Sequence, residues 1–407
     1  WARSRSRRKL SWPCSDWTMT NKPSMKKTLG LYLHIPFCLS KCAYCDFYSG
    51  SFTKEEKDAY VAALCGQLAA VSELAGNYTV DTVYLGGGTP TLLSPAGITT
   101  ILDAVRRYYH LALEAEISAE CNPATGLSPT LRAFLAAGVN RLSIGVQSLS
   151  DAELRALGRR HTAAEATATI RRAAEIGFTN LSADVMFGIP HQTKERFRKT
   201  LEELSSLPLT HLSAYGLRVE EGTPFYRLRE TLPLPDEDSE AEMQFSVTEI
   251  LQPAGFHPYE VSNYAKNGFE CRHNLRYWER SPYLGFGPGA HSFFENERFF
   301  TPPSLPDYLR LAQSGNFAAL FTGHEKIAGK EAADETFMLR MRLCRGLCEA
   351  EFKKEFGLSP EKLYPGLSGY IRDGWIKRAN GRIFFTPRGM YVSNTILSDL
   401  LDFGKEA

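Results

Sequence analysis

From residue 31 onward the chain alternates short apolar runs with longer stretches whose apolar positions recur at helical spacing. The short runs have the length and composition of buried strands, and the longer ones are typical of amphipathic helices. The predicted strands are Leu31–Ile35, Thr82–Leu85, Glu116–Ala119, Arg141–Val146, Asn180–Met186 and His211–Leu217. The predicted helices between them are Lys54–Leu74, Pro95–Tyr109, Pro129–Ala137, Ala163–Ile176 and Lys194–Leu207. Six strand–helix units in succession predict an α/β fold: a parallel sheet with right-handed crossovers, curved into a partial, TIM-like (β/α)6 barrel.

The alternation ends near residue 235. A helix is predicted over Asp236–Leu251, followed by an irregular stretch rich in glycine, proline and aromatic residues over Phe256–Ser304. A helical pattern returns at Ala332–Cys344, and Asn380-Gly381 between two β-rich runs predicts a hairpin. Helices followed by such a hairpin indicate a C-terminal α+β, winged-helix-like domain. Winged helices often bind DNA, but the net charge of +1 favours a packing role here.

These changes of pattern divide the chain into four segments. They are a basic N-terminal segment (1–27), the barrel core (28–235), a linking helix with the Gly/aromatic-rich region (236–325), and the winged-helix-like domain (326–407). The first segment has no hydrophobic periodicity, so we expect it to be disordered. It begins with Trp rather than Met, and we expect the native start at Met19 or Met25.

Composition narrows the function and the location. No run of 18 or more apolar residues occurs, so no membrane span is predicted. A net charge of +1 lacks the broad basic footprint of nucleic-acid-binding proteins, so we expect no nucleic-acid partner. Nine cysteines without a disulfide-like pattern indicate a reducing compartment, and we therefore predict a cytoplasmic protein.

Three cysteines, Cys38, Cys42 and Cys45, follow the first predicted strand at C-x3-C-x2-C spacing. Thiolates are the ligands that suit iron–sulfur clusters, and three of them leave one iron of a [4Fe–4S] cluster open to a small molecule. A zinc site or three unrelated buried cysteines are the alternatives. Structural zinc takes four ligands, and no second Cys/His pair lies nearby at zinc-finger spacing, so the sequence favours the cluster.

Polar or glycine residues also lie at the end of every other predicted strand or directly after it, and the fifth strand itself holds Asp184. In order along the chain these are Gly86-Gly87-Gly88, Glu120, Gln147 with Ser148, Asp184 and Glu220-Glu221. Because the carboxyl ends of barrel strands surround one opening, we expect these residues to line a shared pocket. Plainer explanations exist for each alone: a turn for the glycines, a solvated charge for Glu120, satisfied core groups for Gln147 and Asp184, and an exposed helix end for Arg159 and His161.

Together the motifs resemble the HemN/HemW family of radical S-adenosylmethionine (SAM) proteins over residues 30–395. The matching stretches are Tyr32–Cys38, Gly86–Pro90, Gly145–Ser148, Leu157–His161, Asp184–Pro190 and Gly285–Ser292. The resemblance implies that Cys38, Cys42 and Cys45 ligate the [4Fe–4S] cluster. It implies that SAM contacts Tyr32, Gly87, Gly88, Thr89, Glu120, Gln147, Arg159 and Asp184. An electron donor such as flavodoxin or ferredoxin would reduce the cluster, which then cleaves SAM to methionine and a 5′-deoxyadenosyl radical.

Two local features separate the branches of this family. Phe47 stands where the oxygen-independent coproporphyrinogen III dehydrogenase branch carries a further cysteine. The run His273-Asn-Leu-Arg-Tyr-Trp278 matches the H-N-x-x-Y-W pattern of the HemW branch, whose members resemble haem chaperones. The resemblance thus implies haem as cargo and haem-acceptor proteins, such as membrane respiratory enzymes, as partners. It leaves a homodimer open.

An imidazole beside two aromatic rings fits a haem surface. The candidate haem-binding residues are His273, Asn274, Tyr277 and Trp278, with Cys271 and His291 as rival axial ligands. The alternative is that the aromatic rings pack the irregular segment while His273 caps a structural element. Two other functions stay open: decarboxylation of the propionates of coproporphyrinogen III, which Phe47 disfavours, and a winged-helix regulator that uses the cluster as a sensor.

Overall fold

The computed structural model describes residues 27–401. The strands are β1 (Lys27–Ile35), β2 (Tyr78–Gly87), β3 (Leu111–Cys121), β4 (Arg141–Gln147), β5 (Asn180–Phe187), β6 (His211–Gly216), β7 (His257–Pro258), β8 (Asn263–Ala265), β9 (Tyr283–Phe286), β10 (His291–Phe294), β11 (Glu297–Phe300), β12 (Thr322–Lys326), β13 (Leu347–Cys348), β14 (Ile376–Ala379) and β15 (Arg382–Phe385). The helices are α1 (Lys54–Val71), α2 (Pro95–Tyr108), α3 (Ser128–Ala136), α4 (Asp151–Ala156), α5 (Ala163–Ile176), α6 (Lys194–Ser205), α7 (Pro224–Arg227), α8 (Glu237–Leu251), α9 (Arg272–Trp278), α10 (Leu305–Gln313), α11 (Gly329–Arg340), α12 (Glu349–Phe356), α13 (Pro360–Leu363), α14 (Leu367–Arg372), α15 (Pro387–Tyr391) and α16 (Ser393–Leu401).

The predicted six-stranded parallel core is confirmed. Strands β1 to β6 lie side by side in chain order, each parallel to the next. The helices that connect them pack their apolar faces on the sheet. Caps fix several helix ends: Thr53 and Glu56 form a capping box at α1, and Gly177, with φ of 120°, ends α5 where the sequence predicted it.

The expectation of an irregular Phe256–Ser304 region is wrong. This region contains α9 and five short strands, β7 to β11, which extend the barrel sheet at both edges. β9 pairs with β1, and β8 pairs with β6. Strands of two to four residues are too short to show a hydrophobic period, so their pairing with longer strands is what defines them.

The strand β1 also starts earlier than predicted, at Lys27, which the sequence analysis placed in the disordered segment. The rest of that segment, including the expected starts at Met19 and Met25, lies outside the described residues.

The C-terminal sequence forms a second hydrophobic core, separate from that of the barrel. Its sheet has the order β13-β15-β14, and Asn380 and Gly381 join β14 to β15 with φ of 51° and 71°. Two successive positive φ angles are typical of a type I′ turn, so the predicted hairpin is confirmed. The Arg280–Glu335 ion pair, at 2.6 Å, joins this part to the barrel. Between residues 27 and 401, every helix is too short or too polar to cross a bilayer.

Candidate functional site

The inner face of the barrel sheet is polar, in contrast to the outer face against the helices. Alternate residues of a strand point to opposite faces, and here one alternating set carries polar groups that hydrogen-bond to each other. The pairs include Ser143 with Asp184, Ser182 with His211, Tyr84 with Glu120, and Ser118 with Glu116. A polar interior of this kind is suited to a bound polar ligand rather than to a packed hydrophobic core.

The loop that carries the three cysteines is held against the neighbouring strand end. Gly88 donates its N–H to the carbonyl of Ile35 at 2.9 Å, and Thr89 donates to that of Phe37 at 2.7 Å. A Cβ atom on Gly88 would lie 2.6 Å from the Ile35 oxygen, so only glycine allows this approach. In the structure, the backbone of Ile35 and Phe37, which leads into the cysteine loop, occupies this side of Gly88.

The thiols of Cys38, Cys42 and Cys45 are neighbours in this loop. Burial, together with the nearby Cys42 and Cys38, raises the pKa of Cys45 to about 11. Within residues 27–401, no three His, Cys, Asp or Glu side chains converge as they would on a single metal ion. A cluster of several irons is held differently, because each thiolate binds its own iron.

A chain of hydrogen bonds connects two of these sulfurs through the barrel mouth. Cys38 Sγ lies 3.6 Å from Thr89 Oγ1, which accepts a hydrogen bond of 2.7 Å from Asn122. Asn122 Oδ1 in turn accepts one of 2.6 Å from Arg159, whose other terminal nitrogen lies 3.6 Å from Cys42 Sγ. A cavity of about 270 Å³ opens here, lined by Cys42, Thr89, Asn122 and Arg159 among others. Sequence reasoning missed Asn122; the one available indication was its place directly after β3.

The two predicted carboxylates, Glu120 and Asp184, are partly buried inside the barrel, within electrostatic reach of each other. Glu120 accepts hydrogen bonds of 3.0 Å from the Tyr84 hydroxyl and from the Gly87 N–H. Burial, with Asp184 second, nevertheless raises the pKa of Glu120 to about 7. Burial also raises the pKa of Asp184, although Ser213 and Ser143 oppose this. Two carboxyl groups in such a place favour a cationic ligand.

The remaining predicted contacts lie around this pair. The Tyr32 hydroxyl forms a hydrogen bond of 3.0 Å with Nδ1 of His34. Both residues lie on β1, next to the strand β2 that ends at the glycines. Gln147 ends β4 with φ of 64°, a strained angle for a side chain of its size. Its amide nitrogen and Arg159 both flank Gly145, where a Cβ atom would lie 3.1 and 3.2 Å from them. Gln147 and Arg159 therefore share one wall of the mouth.

The raised pKa of Glu120 predicts a pH effect on the ligand-free protein. Between pH 4.5, the ordinary value, and about 7, the folded protein retains a proton that the unfolded chain has lost. The contribution of this retained proton to the stability of the fold is complete below pH 4.5 and is lost as the pH rises to about 7. We expect the free energy of unfolding to fall by about 3 kcal/mol less over this pH range in Glu120→Gln than in the wild type, since each pKa unit is worth about 1.4 kcal/mol. Urea unfolding at several pH values measures it. The exposed Glu220→Gln variant is the control; equal slopes in wild type and Glu120→Gln would contradict the assignment.

The segment with the H-N-x-x-Y-W pattern lies in the floor of the barrel, at the amino ends of the strands. Glu116 accepts the N–H groups of Arg272 at 2.9 Å and of His273 at 3.2 Å, and so caps the start of α9. His273 is fully buried: its Nδ1 bonds Thr82 and its Nε2 bonds Tyr277, each at 2.9 Å.

This placement differs from the haem surface expected of these residues. Both ring nitrogens of His273 already have partners, and burial lowers its pKa to about 3. The rival Cys271 is also buried, 3.6 Å from Glu116, while the rival His291 is exposed at the start of β10. Asn274 and Trp278 are partly buried on the same helix. A haem role for His273, Asn274, Tyr277 and Trp278 stays a prediction, and in this structure the segment closes the barrel.

The floor and the carboxyl pair are joined by one side chain. Tyr84 stacks on His273, with ring centroids 5.2 Å apart, and donates its hydroxyl to Glu120. Tyr84 thus connects the packing of α9 with the predicted ligand site.

Comparison with known proteins agrees with this architecture. The radical SAM superfamily model matches residues 32–204, and the HemN C-terminal domain model matches residues 327–392. The solved structure of Escherichia coli coproporphyrinogen III oxidase HemN superposes with a TM-score of 0.80, covering 93% of this chain and 91% of that one, at 23% identity. The fold and the site therefore define a radical SAM protein with a HemN-type C-terminal domain.

Sequence relatives identify the branch. The heme chaperone HemW of Bacillus subtilis is 34% identical over 91% of this chain and 98% of its own length. The heme chaperone HemW of Escherichia coli is 36% identical over 91% of this chain and 97% of its own length. A mouse mitochondrial radical SAM domain-containing protein 1 is 42% identical over 65% of this chain and 60% of that protein. The chain belongs to the HemW family, and membership in the radical SAM superfamily implies a [4Fe–4S] cluster and SAM.

Proposed function

We propose that the protein binds haem and transfers it to acceptor proteins, with a [4Fe–4S] cluster and SAM as its resident cofactors. The observation that carries this proposal is the near full-length likeness to proteins named heme chaperone HemW. The solved coproporphyrinogen III oxidase shares the fold at only 23% identity. Phe47, 61% exposed on the cysteine loop, stands where the dehydrogenase branch has its further cysteine.

Cys38, Cys42 and Cys45 would hold the cluster. The Thr89 hydroxyl and the Arg159 guanidinium each lie 3.6 Å from one of these sulfurs, and such donors stabilise thiolate charge. When bound, the cluster and SAM supply one-electron and radical chemistry, for which a flavodoxin or ferredoxin would provide the electron. The chain's own part is to fix the three thiolates in place.

The partly buried carboxyl pair, Glu120 and Asp184, and Arg159 suit the charges of SAM. Glu120 and Asp184 favour a cation, and SAM carries a sulfonium and an ammonium group. Arg159 is a planar donor for its carboxylate. Its Nε is buried and, among the described residues, has no hydrogen-bond partner. Tyr32, Gly87, Gly88, Thr89 and Gln147 complete the proposed contacts.

Partners and location follow from the same proposal. Haem-acceptor proteins such as membrane respiratory enzymes would receive the haem, and a homodimer is compatible with this role. The relatives include bacterial proteins and animal proteins named mitochondrial. A cytoplasmic location and the lack of a nucleic-acid partner stay predictions.

An anaerobic assay distinguishes the chaperone from the dehydrogenase. Reduced, cluster-replete protein is incubated with SAM and coproporphyrinogen III, and protoporphyrinogen IX is measured. We expect no product, together with a Soret band when the same preparation is titrated with haem. Formation of protoporphyrinogen IX would make the protein a dehydrogenase in spite of Phe47.

A further inference from the structure

Gln147 lies in the middle of a three-residue turn that few side chains adopt. Its φ is 64°, and the Ser148 N–H donates a hydrogen bond of 2.8 Å to the Val146 carbonyl across it. A hydrogen bond between residues two apart, over a positive φ, defines a γ-turn of the rare and strained kind. A residue keeps such an angle only where the surrounding contacts impose it.

Buried side chains hold both ends of this turn. The Val146 carbonyl also accepts a hydrogen bond of 3.1 Å from Nε2 of His161, which is 7% exposed. The Ser148 hydroxyl is fully buried, donates to Glu153 Oε2 at 2.6 Å and accepts the Ser150 N–H at 2.9 Å. The turn is therefore fixed on both sides of its middle residue.

Glu153 places a carboxylate where only 1% of the residue is exposed, which is unfavourable for a charge unless partners compensate it. Its Oε2 accepts hydrogen bonds from Ser148 and, at 3.1 Å, from Gln192. Within residues 27–401, its Oε1 has no hydrogen-bond partner and lies 3.6 Å from Arg196. A fold that retains such an incompletely compensated charge commonly does so to support a functional site.

Gln192 extends the same network to the loop after β5. Its amide nitrogen donates to the Met186 carbonyl at 3.3 Å, and its amide oxygen accepts the Ile189 N–H at 3.3 Å. Strand β5 also carries Asp184, and it pairs with β4. Glu153 thus joins the ends of two adjacent strands that each carry a predicted SAM contact.

The side chain of Gln147 reaches the barrel mouth. A Cβ atom on Gly145 would lie 3.1 Å from the Gln147 amide nitrogen and 3.2 Å from a terminal nitrogen of Arg159. Within residues 27–401, the side-chain amide of Gln147 forms no hydrogen bond. Its oxygen and its nitrogen are therefore both available to a ligand in the mouth.

We propose that Ser148 and Glu153 are positioning residues for SAM: the hydrogen bond between them holds Gln147 in its strained turn and directs the free amide toward the bound ligand. Both residues are buried, so they act through Gln147 rather than on the ligand itself. This inference deepens the proposed function and rests on it for SAM as the ligand of Gln147.

Equilibrium dialysis of radiolabelled SAM against cluster-replete protein tests the pair. The cluster is left oxidised, so that SAM is not cleaved. We expect Ser148→Ala and Gln147→Ala each to raise the Kd for SAM about tenfold. Because Ser148 acts through Gln147, the double variant should differ from Gln147→Ala by less than about twofold. Ser246→Ala removes another buried hydroxyl, bonded to the Met243 carbonyl in α8, and should bind SAM like the wild type.

Substitutions of Glu153 carry the same test from the other partner, and they decide the outcome if Ser148→Ala takes up no cluster. The amide oxygen of Glu153→Gln can still accept from Ser148 and Gln192, so we expect a Kd for SAM within about twofold of the wild type. Glu153→Leu removes the acceptor and should match Ser148→Ala. Iron content and urea unfolding establish that each variant is folded and loaded.

The outcomes separate this inference from the proposed function. Wild-type affinity for SAM in Ser148→Ala or Glu153→Leu would overturn the positioning role and leave the haem function intact. An equal loss of affinity on Ser148→Ala with and without Gln147→Ala would also overturn it, since a general structural effect does not depend on Gln147. Wild-type protein that follows the expected pattern with SAM but gives no Soret band with haem would support the positioning role and contradict the haem function. Absence of SAM binding by loaded wild-type protein would overturn both the inference and SAM as a resident cofactor.

Discussion

Replacing any one of Cys38, Cys42 or Cys45 by alanine is expected to abolish the visible absorption of the reconstituted iron–sulfur cluster. Three thiolates are the whole of the proposed protein ligand set, so loss of one leaves two irons without a protein ligand. The hydrogen bonds of Thr89 and Arg159 reach the sulfurs of Cys38 and Cys42, and they have no function once those sulfurs are removed. Absorption spectra and iron content after anaerobic reconstitution measure the effect.

Cys65→Ala provides the matched control for these variants. Cys65 is a partly buried free thiol of α1, the helix that follows the cysteine loop, and its sulfur lies 3.7 Å from the Thr100 carbonyl. We expect its cluster to match that of the wild type. A cluster that survives loss of Cys42, or is lost from Cys65→Ala, would contradict the ligand assignment.

Glu116→Gln is expected to destabilise the protein by about 3 to 5 kcal/mol, the usual effect of removing one partner from a buried charged cluster. Glu116 is 6% exposed and binds the N–H groups of Arg272 and His273 at the start of α9. The buried Arg141 is an electrostatic neighbour of Glu116 and would lose its compensation. Urea unfolding of the cofactor-free protein measures the change.

Glu114→Gln is the control for this change. Glu114 lies on the same strand, two residues earlier, and is exposed. We expect an effect within about 0.5 kcal/mol, which is ordinary for surface substitutions. Equal stabilities of the two variants would show that the barrel floor does not depend on the Glu116 charge.

The sequence was most informative where elements are long and periodic. β1 to β6 and their helices follow from alternating apolar runs, and the Asn380-Gly381 turn from its required backbone angles. The short strands β7 to β11 were not predictable, because pairing with strands far away in the chain defines them. Glycine and proline around them gave the impression of an irregular segment.

The site divides in the same way. Spacing was enough to indicate the cysteine loop, and a position at the end of a strand or within it was enough to indicate Glu120 and Asp184 as neighbours. Asn122 was not predicted as a site residue, because its role depends on contacts with Thr89 and Arg159, which come from other elements. The burial of His273 under the barrel also depends on tertiary packing that no local pattern encodes.

Haem transfer is the measurement that tests the chaperone function most directly. Haem-loaded, cluster-replete protein is mixed with membrane vesicles that contain a haem-depleted respiratory enzyme, and the Soret band of the separated protein is followed with the recovered enzyme activity. We predict that the protein loses its haem as activity returns, faster than with the same concentration of free haem. Haem that stays on the protein while the vesicles remain inactive would contradict the account.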